Sequence, residues 1–328
     1  MTPRRLGTHG PNVGAIGLGC MGMSEFYDRV GEADAIATIH RALELGMTLV
    51  DTSDMYGRGA NEHLVGRALR DRRERATIAT KGGLVRRADD PAYRAVDGTP
   101  AYLRAACDAS LVRLGIECID LYYLHRADPA VSIEESVGAL AELVQAGKVR
   151  HIGLSEVDAP TLRRAAAVAP IAALQSEYSL FTRDVETNGV LLAARELGVA
   201  LVAYAPLGRG MLTGTVRSTT ALAPADLRRR VPRFDPGNLE RNLALVDGLS
   251  AIARDAGCTP AQLALAWLLA QGADVIALPG CERVAHVEEN GASSDVELDA
   301  ALLARIDELV PPGAALGARL RDQRSAGR

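Results

Sequence analysis

The chain has 328 residues, 48% hydrophobic and 24% charged, with a formal net charge of -4 at pH 7. That balance supports a sizeable buried core and excludes a disordered chain, and the slight acidity gives no basic field to gather nucleic acid or an anionic membrane. No apolar run approaches the roughly 20 residues that span a bilayer, so the expected partner is a small molecule. Five cysteines (Cys20, Cys107, Cys118, Cys258 and Cys281) form an odd set with no CxxC pair, and "MTPRRLGTHGPNVGAIG" lacks the apolar core of a signal peptide. A reduced, cytoplasmic protein without structural zinc is expected.

In chain order, "RRLGTHGPNVGAIG" reads as an N-terminal hairpin. Short apolar or β-branched runs then alternate with longer segments of helical period. "AIGLG" (15–19) precedes helical "DAIATIHRALELG", "MTLVD" (47–51) precedes "NEHLVGRALRD", and "ATIAT" (76–80) precedes "AYLRAACDASLVRLG". "IDLYYL" (119–124) leads to "IEESVGALAELVQAG", "RHIGL" (150–154) to "APTLRRAAAV", and "IAALQ" (171–175) to "NGVLLAARELG". "VALVAY" (199–204) is followed by a long loop and the helical pair "LERNLALVDGLSAIARDAG" and "TPAQLALAWLLAQG", and "DVIALP" (274–279) is the last run.

Several helical segments stop on Gly just before the next run, as a left-handed helix end requires. Repeated right-handed βα units with continuously apolar strands leave an open doubly wound sheet or a closed (β/α)8 TIM barrel, and eight units between residues 15 and 279 favour the barrel. No linker composition divides the chain, so 1–328 is expected to be one barrel domain. The hairpin should cap the barrel bottom, and 311–328 should form a solvated C-terminal tail.

"GLGCMG" (Gly17, Gly19, Gly22) fits the G-x-G-x-x-G pattern after a strand, and Asp51 closes the next run. A dinucleotide-binding βαβ unit starts its helix within the glycines, on the pyrophosphate. Here "MSEFYDRVGEAD" intervenes and Gly31, followed by acidic "EAD", is the better helix start. The glycines read instead as a tight turn at the barrel mouth.

In such a barrel the active site lies at the C-terminal strand ends. Reading those positions gives Asp51 with Tyr56 close behind, then Lys81, His125, Ser155, Gln175 and Tyr204. Taken singly, each has an ordinary explanation as a helix cap, an ion-pair partner, a core aromatic or a turn residue. Together they are harder to dismiss, because burying a lysine and a carboxylate costs several kcal/mol unless both are paired. A tyrosine ionises near pH 10, and a neighbouring ammonium is expected to lower that value. Asp51 would fix Lys81, Lys81 would make Tyr56 a general acid, and His125 would orient a carbonyl oxygen against it. Protonating an oxygen as negative charge develops is what hydride addition to a carbonyl needs, and no side chain donates hydride, so a nicotinamide must bind.

At these residues the chain resembles the aldo-keto reductases over almost its whole length, in "DTSDMYGRGANEHLVGRAL", "TK" after the third run, "RLGIECIDLYYLHRADP", "AGKVRHIGLSE", "ALQSEYSLF", "AYAPLGRGMLTG" and "LPGCERVAHVEEN". The resemblance implies a catalytic tetrad of Asp51, Tyr56, Lys81 and His125. It implies that Ser155 and Gln175 hold the nicotinamide carboxamide, that Tyr204 stacks on the ring, and that Leu207, Gly208 and Gly210 line the pyrophosphate. Met21 and Pro206 join this set, and the segment from Gly280 to Asn290, with Cys281, Arg283 and Glu289, holds the adenosine end. The pocket candidates are Met23, Tyr27, Met55, Arg126 and Phe181, apolar walls with one cation, fitting a tolerant site for aromatic or aliphatic carbonyls.

Two departures matter. Ser155-Glu156 stands where many relatives have Ser-Asn, and a carboxylate cannot donate to a carboxamide oxygen. "PGCER" places Glu282 where relatives carry a cation, so NADPH is expected over NADH by a reduced margin. The basic run "LRRRVPRF" (227–234) reads as a solvated part of the long loop, or as a cover for the cofactor. Alternatives on the same barrel are a slow or non-catalytic redox-sensing nicotinamide binder and a Schiff-base aldolase using Lys81, though Asp51 would keep that lysine charged. No residue cluster has metal-ligand spacing, so no metal is expected.

Overall fold

The computed structural model describes residues 1–27, 30–87, 89–90 and 93–320. A hairpin, β1 (Pro3–Arg5) with β2 (Asn12–Gly14), comes first. The parallel strands are β3 (Leu18–Gly19), β4 (Leu49–Asp51), β5 (Thr77–Gly82), β8 (Ile119–Leu124), β9 (Val149–Ser155), β10 (Ile171–Glu177), β11 (Ala200–Tyr204) and β12 (Val275–Leu278). They pair in that order in one eight-stranded sheet. The sheet closes on itself: Gly17 N–H donates to Ala277 O (2.8 Å), Gly19 N–H to Pro279 O (2.9 Å) and Ala277 N–H to Ala15 O (3.0 Å). This is the expected (β/α)8 barrel, its strand ends within three residues of the expected runs and β8 matching its run at both ends.

Helices α1 (Glu32–Glu44), α2 (Ala60–Leu69), α3 (Pro100–Leu114), α4 (Ile133–Gln145), α5 (Ala159–Val168), the short α6 (Asp184–Thr187), α7 (Val190–Glu196), α8 (Pro236–Asp255), α9 (Pro260–Leu269) and α10 (Val284–Ala292) surround it. Their starts follow local chemistry. Thr99 caps α3 with Pro100 in its first turn, Ser132 caps α4, and Thr259 with Gln262 forms a reciprocal capping box on α9. Gly31 is the N-cap of α1, as its acidic first turn implied, which removes the dinucleotide-fingerprint reading of the upstream glycines. A small ribbon, β6 (Leu84–Val85) with β7 (Ala95–Val96), and α11 (Ala300–Leu309) were not expected from the periodicity.

Inside the barrel lie Leu49, Ala79, Leu121, Tyr123, Ala173, Ala200, Val202 and Ile276, with Leu6 of the hairpin plugging the bottom. Thr8 N–H donates to Gly198 O at 2.7 Å and fixes that plug. Gly153 is a packing necessity here, since a Cβ on it would stand 2.3 Å from the Tyr123 ring.

Within the segment expected as a solvated tail, Pro311, Pro312, Gly313 and Ala318 are exposed, but two contacts anchor it to the barrel. Leu316 N–H donates to Asn242 Oδ1, and Arg319 forks onto Glu156 at 2.8 and 2.5 Å. A buried carboxylate on a mouth loop needs a cation, and the segment supplies it. Residues 321–328 lie outside the described residues.

Candidate active site

Side-chain alternation places the mouth. Successive inward positions two apart run Leu49 to Asp51, Ala79 to Lys81, Tyr123 to His125, Gly153 to Ser155, Ala173 to Gln175 and Val202 to Tyr204, so one polar layer sits directly above the apolar barrel interior. Lys81 is fully buried. Its ammonium donates to Asp51 Oδ1 (2.5 Å), to Thr52 O (2.8 Å) and to Tyr56 Oη (3.3 Å), which uses all three of its hydrogens. Gln175 Nε2 donates to the other oxygen of Asp51 at 2.9 Å. The Tyr56 and His125 rings meet edge to face, centroids 6.1 Å apart.

Burial alone would depress the Lys81 ammonium, but Asp51 and Tyr56 outweigh it and hold it above its ordinary value. Burial drives His125 well below the imidazole range, with Arg126 and Lys81 adding to the effect, so the ring is neutral. For Tyr56 the expected lowering is overturned. Burial raises the phenol, the Lys81 charge offsets this only in part, and the Asp51 carboxylate adds to the rise.

The layer opens into a cleft of about 1820 Å³ that reaches from Tyr56 and His125 to the first turn of α10. Its wall contains Met21, Tyr27, Met55, Arg126, Ser155, Gln175, Tyr204, Pro206, Leu207, Gly210, Gly280, Arg283, Glu289 and Asn290, all expected at the site. Five expected residues are not in that wall: Lys81, buried behind it, and Met23, Phe181, Gly208 and Cys281. Met23 and Phe181 are only 4% exposed and pack into the outer core, Phe181 beside a smaller neighbouring cavity, so neither serves as a pocket wall. Gly208 and Cys281 are buried, and Cys281 Sγ accepts from Asn290 Nδ2 at 3.2 Å, its thiol pushed up to about 12 by burial. Arg126 is not simply a substrate-facing cation: one nitrogen donates to His125 O (2.6 Å) and Ser155 Oγ (2.9 Å).

Several wall residues escaped the sequence reading. Arg209 donates to buried Glu177 at 3.0 Å and hydrogen-bonds Tyr27. The 227–234 run is exposed only at Arg229 and Arg230, while Leu227 N–H donates to Phe26 O (2.9 Å), Arg228 lies 5.2 Å from the Tyr27 ring, and Arg233 donates to Phe181 O. Leu227, Arg228 and Leu320 line the cleft. The Glu282 carboxylate covers Gly22, where a Cβ would stand 2.3 Å from Oε1, and lies 3.8 Å from His286 Nδ1. Glu156 holds a left-handed φ of 55° that non-glycine residues rarely adopt. Burial pushes its carboxyl up, but the Arg319 fork outweighs that and holds it below the usual range. The unmatched charge of Glu156 in "SE" was the sequence signal that could have pointed to a distant arginine. Among the described residues no helix is long and apolar enough to cross a membrane, and no group of three or more His, Cys, Asp or Glu could hold a metal ion.

A closed parallel barrel with a buried lysine, carboxylate and phenol at its mouth defines a (β/α)8 protein built to handle a proton there. A model of the aldo/keto reductase family matches residues 15–311. The chain is 45% identical over 311 residues to an aldo-keto reductase of Schizosaccharomyces pombe whose name specifies NADP+, covering 94% of this chain and 91% of that one. Among solved structures it is similar to the glycerol dehydrogenase of Gluconobacter oxydans, with a TM-score of 0.86, 32% identity and 94% of each chain covered. It is also similar to an aldo-keto reductase of Klebsiella pneumoniae in complex with NADPH, with a TM-score of 0.74 and 26% identity, covering 98% of this chain and 100% of that one. The chain belongs to the aldo/keto reductase family, whose general chemistry is NAD(P)H-dependent carbonyl reduction.

Proposed function

We propose that this protein reduces aldehydes or ketones to alcohols, with NADPH preferred over NADH and Tyr56 as the proton donor. The observation that carries the reading is Lys81, a fully buried ammonium shared between Asp51 and the Tyr56 hydroxyl. Burying that charge costs several kcal/mol unless every hydrogen is used, and the third hydrogen is aimed at a phenol on the cleft wall.

The cleft fits a dinucleotide in size and chemistry. No side chain caps α10, whose His286 and Val287 N–H groups donate to Arg283 O while its start faces the cleft, and Arg209, Arg228 and Arg283 border the same wall. Ser155, Gln175 and Tyr204 would hold the nicotinamide end, Met21, Pro206, Leu207 and Gly210 the middle, and Gly280 through Asn290 the adenosine end. When bound, the nicotinamide supplies the hydride that no side chain can donate.

The remaining work falls to the chain. Tyr56 gives its phenolic proton to the carbonyl oxygen as charge develops there, and the phenolate left behind is stabilised by Lys81. Asp51 keeps Lys81 charged and Gln175 braces Asp51. Neutral His125 offers its single N–H to orient the oxygen. A lysine held charged in this way cannot attack a carbonyl as an amine, which disfavours Schiff-base chemistry. The NADP+ of the yeast relative's name and the NADPH of the Klebsiella structure support the cofactor choice. The free cysteines accord with a reducing, cytoplasmic setting.

The test is single-turnover oxidation of bound NADPH against a panel of carbonyls. Tyr56→Phe should lose ~2 orders of magnitude or more in rate while binding NADPH nearly as tightly as wild type. A Tyr56→Phe enzyme turning over at the wild-type rate would overturn the assignment.

A further inference from the structure

Beside the residues that face the cleft lies a second polar group, formed by Ser53 and Asp54. Ser53 Oγ stands 3.1 Å from His125 Nδ1 and 3.1 Å from Asp54 Oδ1, and it accepts the Met55 N–H at 3.3 Å. A fourth contact, to Lys81 O at 3.4 Å, is longer. A hydroxyl has one proton and two lone pairs. With one lone pair committed to Met55, two arrangements satisfy the rest.

In the first, Asp54 is protonated and donates to Ser53, Ser53 donates to His125 Nδ1, and the imidazole carries its proton on Nε2. In the second, Asp54 is ionised and takes the Ser53 proton in a charge-assisted bond, stronger than the neutral alternative. His125 must then donate from Nδ1 to Ser53, and Nε2 is left as a bare lone pair. One proton separates the two arrangements. Since burial keeps the ring neutral, only one nitrogen carries hydrogen at a time.

We propose that Ser53 and Asp54 are positioning residues that set the tautomer of His125, and thereby switch its donor toward the carbonyl oxygen on and off with pH. This deepens the carbonyl-reductase reading and rests on it for the catalytic consequence, though not for the tautomer change itself. Asp54 is placed to titrate in the working range. Burial, followed by Glu62 on α2, pushes its carboxyl up to about 7, opposed by Ser53, by Arg113 of α3 and by the Met55 N–H. Tyr102 of α3 and Tyr122 of β8 also face it, and both are held neutral by burial. Glu62 itself is buried and held in place by Arg113 at 2.6 Å and Thr80 at 2.6 Å. As pH rises through about 7 the donor on Nε2 should be lost, and carbonyl reduction should slow.

The decisive measurement is 15N NMR of the histidine rings in the full-length protein without substrate, with the His125 signals assigned by His125→Gln. Wild type should show the Nε2–H form at low pH, and the tautomer ratio should shift by about 100-fold between about pH 6 and pH 8. In Asp54→Asn the ratio should no longer respond to pH, and Ser53→Ala, which leaves the carboxylate in place, should uncouple it as well. A single tautomer in wild type throughout, or a titration that survives in both variants, would overturn the proposal. In parallel, the decline of kcat through pH 7 should disappear in Asp54→Asn with the KM for NADPH unchanged. Should wild type reduce no carbonyl while the tautomer still titrates through Asp54, the reductase reading fails and the relay stands. An active enzyme with a pH-insensitive tautomer fails the relay alone.

Discussion

Replacing Lys81 with methionine separates the two tasks of that side chain. Methionine keeps most of its length and apolar stem, so the packing against Tyr123, whose ring lies 5.9 Å from the ammonium, is largely preserved. What disappears is a charge with no exposed surface, bonded to a carboxylate that is 4% exposed. Breaking a buried pair from one side costs about 3–5 kcal/mol. The amide of Gln175 still holds one Asp51 oxygen, which favours the lower end of that range. The loss should depend on pH in a definite sense. Asp51 is already raised by burial, with Lys81 the leading opposing influence, so removing Lys81 raises it further. A carboxyl whose folded pKa lies above its unfolded value near 3.9 takes up protons on folding, so the penalty is small at acid pH and grows as pH rises toward the folded pKa. Urea unfolding of Lys81→Met should therefore show a larger deficit at pH 8 than at pH 5. Adding Asp51→Leu should recover part of the stability at pH 8, although both variants are inactive in NADPH oxidation. A deficit under about 1 kcal/mol, or a double variant no more stable than Lys81→Met alone, would show that the ion pair is not the buried, mutually dependent unit described.

Glu282→Lys should strengthen NADPH binding by roughly 1 kcal/mol and leave NADH nearly unchanged, because it replaces a carboxylate beside the α10 N-terminus with a cation. Competition titration of both cofactors checks this, and equal effects, or a wild type that prefers NADH, would remove the loop from 2′-phosphate recognition. Prolonged dialysis against a chelator should leave turnover intact, because the chemistry proposed needs only protons, a hydride and fixed charges. Activity lost on dialysis and restored by a divalent cation would show that the proton relay is incomplete.

The barrel was legible because its signals are periodic and local. Apolar runs alternate with helical segments, and within each run a step of two residues carries the inward face from core to mouth, which is why Asp51, Lys81, His125, Gln175 and Tyr204 could be found together. Faces of irregular segments have no such period. Met23 lies in a short 3-10 turn and Phe181 in the turn closed by Ser179 and Thr182, and both turn into the core rather than toward the cleft. The Tyr56 shift was misread because proximity to an ammonium is visible in sequence, whereas the depth of burial that opposes it is not. Long-range pairings were equally hidden. The charge of Glu156 calls for a cation without saying that it is Arg319, and nothing near Phe26 announces Leu227. The Ser53 bridge escaped because "TSDM" has the composition of an ordinary turn.

The seam between β3 and β12 has a consequence for how the molecule comes into being. Across this seam Ala15, Gly17 and Gly19 bond to Ala277, Pro279 and Cys281, near the opposite end of the sequence. A chain emerging from the ribosome therefore carries seven strands with two unpaired edges until the eighth arrives, and such edges are templates for mispairing with other chains. Closure also requires bringing distant segments together late, the kind of contact that slows folding. The mouth is completed later still, when Arg319 reaches Glu156. Synthesis thus finishes the sheet before it finishes the cleft, and a nascent protein that has just become a barrel still lacks Leu320 at the cleft and the cation that holds Glu156.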